Sequence, residues 1–145
     1  VAIEATSLAL NVATPNGMML SLEVESVQLP ASNGEIGILP GHIPLLAALK
    51  PGVLKYKAKN GTSGVAALGS GFVEADAKRV RVIAEFFEQP EDIEKAEAQA
   101  DLERATLHMK NLNAILGEPA QIEAQKDLDW ALARIEASGG GVPVH

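Results

Sequence analysis

The sequence predicts an α+β chain. An N-terminal antiparallel β-sandwich spans residues 1–88, and a C-terminal antiparallel α-helical hairpin spans residues 89–138. Two observations carry this division. Up to Glu88, apolar side chains recur at every second residue between turn signals, as half-buried strands require. Beyond Glu88 they recur at intervals of three and four, the spacing of a helix that packs on one partner. With 145 residues and 47% apolar side chains, the chain can bury a core and is not of disordered composition.

Four strands are legible from alternation. Leu8, Leu10 and Val12 face one way and Ala9, Asn11 and Ala13 the other, ahead of a Pro15-Asn16-Gly17 turn. Leu20, Leu22 and Val24 alternate with Ser21, Glu23 and Glu25. Leu54, Tyr56 and Ala58 alternate with Lys55, Lys57 and Lys59, and Asn60-Gly61 then marks a hairpin. Val80, Val82 and Ala84 alternate with Arg79, Arg81 and Ile83. Strands with one apolar face each imply two layers packed face to face. The three lysines are read first as a solvated, edge-protecting stripe.

Gln89-Pro90-Glu91-Asp92 reads as a helix start, because proline fixes φ and two acids suit the N-terminal dipole. Ala98, Leu102, Ala105, Met109, Leu112 and Leu116 form the first seam. Gly117-Glu118-Pro119 breaks the helix, and Ala124, Leu128, Ala131 and Ile135 form the second seam. The glycine-rich tail, 139–145, is expected to be disordered. Four of the ten seam positions are alanine, so the hairpin buries little area and its packing is expected to be modest.

Composition removes several classes of function. The net charge of −7 has the wrong sign for phosphate-backbone binding, and five aromatic residues are few for stacking bases or sugars. Residues 1–88 carry eight acids and seven bases, whereas 89–145 carry eleven and five, so the acidity belongs to the helical part. No cysteine is present, and neither a signal peptide nor an apolar stretch long enough to span a bilayer is visible. His42, His108 and His145 lack metal-ligand spacing. Gly69-Ser70-Gly71 lacks the strand-to-helix setting of a nucleophile elbow, and is read as a place of close backbone approach. No catalytic residue is assigned.

One segment stands apart. Gly34 to Val53 holds four glycines and three prolines among apolar residues, which excludes a single regular element and suggests a rigid path presenting a surface. Within it, Gly34-Glu35-Ile36-Gly37-Ile38-Leu39-Pro40-Gly41-His42, Pro44-Leu45-Leu46 and Lys50-Pro51-Gly52 resemble the signature of the ε subunit of bacterial F-type ATP synthases, equivalent to the mitochondrial δ subunit. Gly69-Ser70-Gly71-Phe72-Val73 is similar to a second family element, and the order of sandwich then hairpin agrees over nearly the whole chain.

The resemblance implies a non-catalytic rotor subunit of the central stalk. In that family the sandwich binds the γ shaft and the c-ring, and coupling of proton flow to ATP synthesis passes through it. Carried over, Glu35, Ile36, Gly37, Ile38, Leu39, Pro40, Gly41 and His42 become the expected contact loop for γ and the ring. The hairpin is expected to restrain ATP hydrolysis by reaching the catalytic α/β subunits when extended. The protein is expected on the cytoplasmic side of a bacterial inner membrane, peripheral, held through the complex.

Some bacterial relatives bind ATP on the folded hairpin through an Ile/Leu-Asp-x-x-Arg-Ala motif. Here the stretch reads Ile93-Glu94-Lys95-Ala96-Glu97-Ala98, with glutamate where the arginine belongs. Arg104 and Arg134 match later basic positions, but Trp130 stands in place of another. Glu94, Arg104 and Arg134 are thus a remnant of such a site; very weak ATP affinity and no cofactor are expected. Two rival readings remain: a free-standing β-sandwich ligand-binding module with a helical oligomerisation hairpin, and a small hydrolase using Ser70 and His42.

Overall fold

The computed structural model describes residues 6–112 and 118–139. Nine strands follow one another: β1 Leu8–Thr14, β2 Gly17–Ala31, β3 Gly34–Ile38, β4 Leu45–Leu49, β5 Gly52–Ala58, β6 Ser63–Leu68, β7 Gly71–Ala75, β8 Arg79–Ala84 and β9 Phe87–Glu88. Among the described residues two α-helices follow, α1 Lys95–Asn111 and α2 Pro119–Ala137. Seam residue Leu116, the Gly117 break and the tail beyond Gly139 with His145 lie outside the described residues.

The expected sandwich is present, and β2 is what joins its layers. Its 15 residues pair with β1 through Gly17–Val24, then with β3 and β5 through the second half. The strand therefore passes from one layer to the other, and hydrogen bonding runs without a break through both. Leu8, Leu10, Val12, Leu29, Ile38, Leu54, Leu68, Val73, Val80 and Val82 fill the space between the layers and are fully buried. Alternation predicted this face for β1, β5 and β8 because each side chain two residues on returns to the same side.

One pairing departs from the antiparallel expectation. β1 and β8 run parallel, with Leu10 opposite Val80 and Val12 opposite Val82. The direction of β1 is fixed by its hairpin with β2 and that of β8 by its hairpin with β7. The long stretch between β1 and β8 provides the crossover that a parallel pair needs. Alternation reads the same in either direction, so nothing in these residues distinguished the two.

The helical part begins later than Gln89-Pro90 suggested. Pro90–Asp92 forms a single 3-10 turn, Ile93 returns to extended backbone, and α1 starts at Lys95. The reason is tertiary: extended Ile93 is buried with Val53, Ala67, Ala98, Ala133, Ile135 and Ala137. This second cluster docks the hairpin on the outer side of β5 and β6. The seams appear as expected, with Ala98, Ala105, Ala124, Ala131 and Ile135 buried. What the seams did not foretell is a second inward face on α2, made of Ala133, Arg134 and Ala137.

Candidate functional site

The Gly34–Val53 segment divides into strand, turn and strand. Glu35–Ile38 is not a loop but part of β3, paired with β2 so that Ile38 opposes Val27 and Ile36 opposes Leu29. Ile38 consequently points into the core and is fully buried, and Ile36 packs against that core. Neither strand residue has its side chain on the outer surface where a contact was expected, because period-two geometry sends both inward. Gly34, Glu35 and Gly37 are the exposed positions of β3.

Leu39, Pro40, Gly41 and His42 form the turn that follows. Gly41 adopts φ +87°, which side-chain-bearing residues rarely reach. Its N–H donates to the Ala77 carbonyl at 2.9 Å, and His42 N–H donates to the Leu39 carbonyl at 3.1 Å. The Nδ1 of His42 lies 2.6 Å from the Ile43 carbonyl oxygen. A carbonyl only accepts, so Nδ1 carries the proton and donates. His42 therefore holds its proline-bounded turn closed.

The turn is anchored to the β7–β8 turn, itself ordered by Asp76. The Asp76 carboxylate accepts the backbone N–H groups of Lys78 and Arg79 at 2.8 and 3.0 Å. These two bonds, foremost that of Lys78, hold its pKa below the ordinary aspartate value, and the neighbouring charges add to the effect.

Large apolar side chains nevertheless reach solvent here. Ile43 is 76% exposed and Leu39 61%, and on the outer face of the adjoining layer Leu46 is 73%, Phe72 60% and Ile83 57% exposed. Register places Ala48, Phe72, Ile83 and Ala13 in one row across β4, β7, β8 and β1. Such a row on a solvated sheet face is a candidate interaction surface. The sequence carried a signal for it: Ile83 occupies the outward phase otherwise filled by Arg79 and Arg81.

The hairpin residues meet differently from expectation. Arg134 is a buried cation with three carboxylate partners. Its Nε donates to Glu88 at 2.6 Å, and its terminal nitrogens donate to Asp101 at 3.1 Å and Glu97 at 3.4 Å. Arg104 also pairs with Asp101. Glu94 lies exposed at the N-terminal end of α1, about 10 Å of helix rise before Asp101. The cleft between the helices near Arg104 is lined by Asp101, Asp127, His108 and Trp130. Carboxylates therefore occupy the Arg134 donors, whereas Arg104 stays largely exposed with one nitrogen on Asp101. Trp130, one turn before Arg134, rests against Phe86 with ring centroids 5.2 Å apart.

Ser70 and His42 form no dyad. The Ser70 hydroxyl donates to Glu85 at 3.0 Å, and His42 is committed to its own turn. Among the described residues, no group of His, Asp and Glu is arranged to hold a metal ion.

Comparison with known proteins places these features. Residues 7–90 match the family described as ATP synthase, Delta/Epsilon chain, beta-sandwich domain. The ATP synthase epsilon chain of Parasynechococcus marenigrum (strain WH8102) is 38% identical over 132 residues, covering 91% of this chain and 96% of its own. That of Anoxybacillus flavithermus (strain DSM 21510 / WK1) is 42% identical over 99 residues, covering 68% and 73%. Among solved structures, a chain of the Euglena gracilis mitochondrial ATP synthase superposes with a TM-score of 0.77 at 19% identity, covering 94% of this chain and 84% of that one. A chain of the Tetrahymena thermophila mitochondrial ATP synthase central stalk/c-ring superposes with a TM-score of 0.60 at 15% identity, covering 94% and 99%. These two share the fold. The sandwich match and the near-full-length identity together carry the conclusion that this chain belongs to the ATP synthase epsilon chain family.

Proposed function

We propose that the protein is a non-catalytic rotor subunit of the ATP synthase central stalk, coupling proton flow through the c-ring to ATP synthesis. In this reading residues 1–88 anchor the subunit to γ and the ring, and residues 89–138 regulate. The observation that supports it most is the apolar surface running from Leu39 and Ile43 to Leu46, Phe72 and Ile83, held rigid by the Gly41 and His42 bonds. A free-standing ligand-binding module would have little use for so much exposed apolar area outside a pocket. The partners are γ and the c-ring, with Glu35, Gly37 and Leu39–His42 at the contact.

The hairpin restrains hydrolysis by reaching the catalytic α/β subunits. Its acidic helices fit basic patches there better than acidic ones. ATP does not use the hairpin as a binding site at submillimolar concentration, because Glu88, Glu97 and Asp101 hold the Arg134 donors and Glu97 stands where the family motif has its arginine. No helix among the described residues is long and apolar enough to cross a membrane. In this reading the subunit is peripheral, held on the cytoplasmic side of a bacterial inner membrane through its partners in the complex.

Reconstitution tests this reading. The full chain is added to the matching ATP synthase stripped of this subunit, and ATP hydrolysis and ATP-driven proton pumping are measured. Binding, restored pumping and slowed hydrolysis are expected. Failure to bind overturns the rotor assignment, whereas binding with unchanged hydrolysis removes only the restraining role.

A further inference from the structure

Arg134 joins two bodies whose buried contact is rich in alanine, with Ile93, Ile135 and the Trp130–Phe86 ring pair as its larger members. The cluster between hairpin and sandwich consists largely of alanines (Ala67, Ala98, Ala133 and Ala137) with Val53, Ile93 and Ile135. Each alanine buries little area, so the contact gains less per residue than a leucine-rich one and the polar bonds at its edge matter more. At its edge the Arg134 side chain is only 7% exposed and carries the shortest bond of the set, to Glu88 on β9. Its other two bonds go to Glu97 and Asp101, both on α1.

This division of partners has a consequence for how the hairpin can leave. A buried cation that loses all its counter-charges is strongly penalised, whereas one that keeps some is not. If α1 and α2 leave the sandwich together, Arg134 gives up Glu88 and keeps both acids of α1. If α2 leaves α1, it gives up two of three. The Trp130–Phe86 contact lies on the same side as the Glu88 bond and breaks with it.

We propose that the Glu88–Arg134 bond is a latch, and that opening it releases the hairpin from the sandwich as an intact pair of helices. Glu88 holds the hairpin down; Glu97 and Asp101 keep Arg134 paired after release. The latch is a property of the chain by itself. Its use as a control on hydrolysis rests on the function proposed above.

The test uses the full chain, whose single tryptophan, Trp130, reports on the contact. Collisional quenching of Trp130 by acrylamide is measured beside hydrogen exchange of the helix amides, for wild type, Glu88→Ala and Glu97→Ala. Losing one charge-assisted bond from a largely enclosed site shifts the docked equilibrium by about tenfold to a hundredfold. Glu88→Ala is expected to raise quenching while helix amides stay protected and sandwich amides are unchanged. Glu97→Ala, which loses a 3.4 Å bond from a largely exposed side chain, is expected to quench like wild type. The latch is overturned if Glu88→Ala quenches like wild type, or if Glu97→Ala opens the contact equally. Loss of helix protection in step with Trp130 exposure overturns departure as a pair. Binding to the stripped ATP synthase, followed in parallel, separates failure of the latch from failure of the rotor assignment.

Discussion

Gly71 on β7 lies so close to the Ile83 carbonyl oxygen on β8 that a Cβ at position 71 would overlap it. The Ala84 Cα is 2.8 Å from the same point, so the obstacle is backbone and cannot rotate away. Replacement forces β7 and β8 apart behind Phe72 and Val73. Gly71→Ala is expected to destabilise the protein by about 1–3 kcal/mol in urea unfolding. Gly37→Ala, with nothing within 4 Å, is expected to stay within about 0.5 kcal/mol of wild type. Equal stability of the two variants would refute the close approach.

Adjacent Ile38 and Leu39 have opposite exposures, and this separates stability from association. Ile38→Ala opens a cavity between the layers and is expected to cost about 2–5 kcal/mol. Leu39→Ser is expected to leave stability within about 0.5 kcal/mol. It is expected to weaken binding to the stripped ATP synthase by more than about fivefold, as a contact residue worth over 1 kcal/mol would. Unchanged binding takes Leu39 out of the contact.

Arg134→Met removes the cation from among three carboxylates. Breaking a buried ion pair in this way costs about 3–5 kcal/mol. Glu88, Asp101 and Glu97 retain 28, 33 and 61% exposure, so water screens the remaining acids. A loss of about 1–3 kcal/mol is therefore expected. Thermal unfolding followed separately by helix and strand signals checks where it falls. The hairpin should be affected first, and a sandwich that melts earlier than the helices contradicts the assignment of Arg134 to the hairpin contact.

Acid sensitivity includes a contribution from Asp76. Its folded pKa lies below the ordinary 3.8 because Lys78 and Arg79 N–H groups bond the ionised form. A depressed carboxylate pKa stabilises the fold above the unfolded value and loses that contribution as pH falls through the folded one. The Asp76 carboxyl resonance is expected to titrate with a midpoint under 3.8. Asp76→Asn keeps an accepting oxygen without the charge, so it is expected to flatten the acid limb of the stability profile. A midpoint at or above 3.8 refutes the two backbone bonds as its cause.

The strands read from alternation are present because a sandwich buries one face of each, and burial selects side chains two apart. Leu10, Val12, Val80 and Val82 needed no distant information to be placed inward. The glycine- and proline-rich segment was legible as an irregular surface, but its first half was read too broadly. Glu35-Ile36-Gly37-Ile38 itself alternates, a local signal for inward Ile36 and Ile38 that the contact-loop expectation passed over. Outward Ile83 likewise marked the exposed apolar row, although only the pairing of β7 with β8 brought Phe72 beside it.

The two periods, the order of sandwich and hairpin, the apolar seams and the family are all written in local residue patterns. That β1 and β8 run parallel, that Ile93 interrupts the helix start and that Arg134 is shared by β9 and α1 emerge only once the chain is folded. One cause underlies all three. Periodicity records whether a face is buried, which is a property of neighbours two, three or four residues away. Strand direction and the partners of a buried charge depend on segments far apart in the chain, and Glu88 and Arg134 meet across 46 residues.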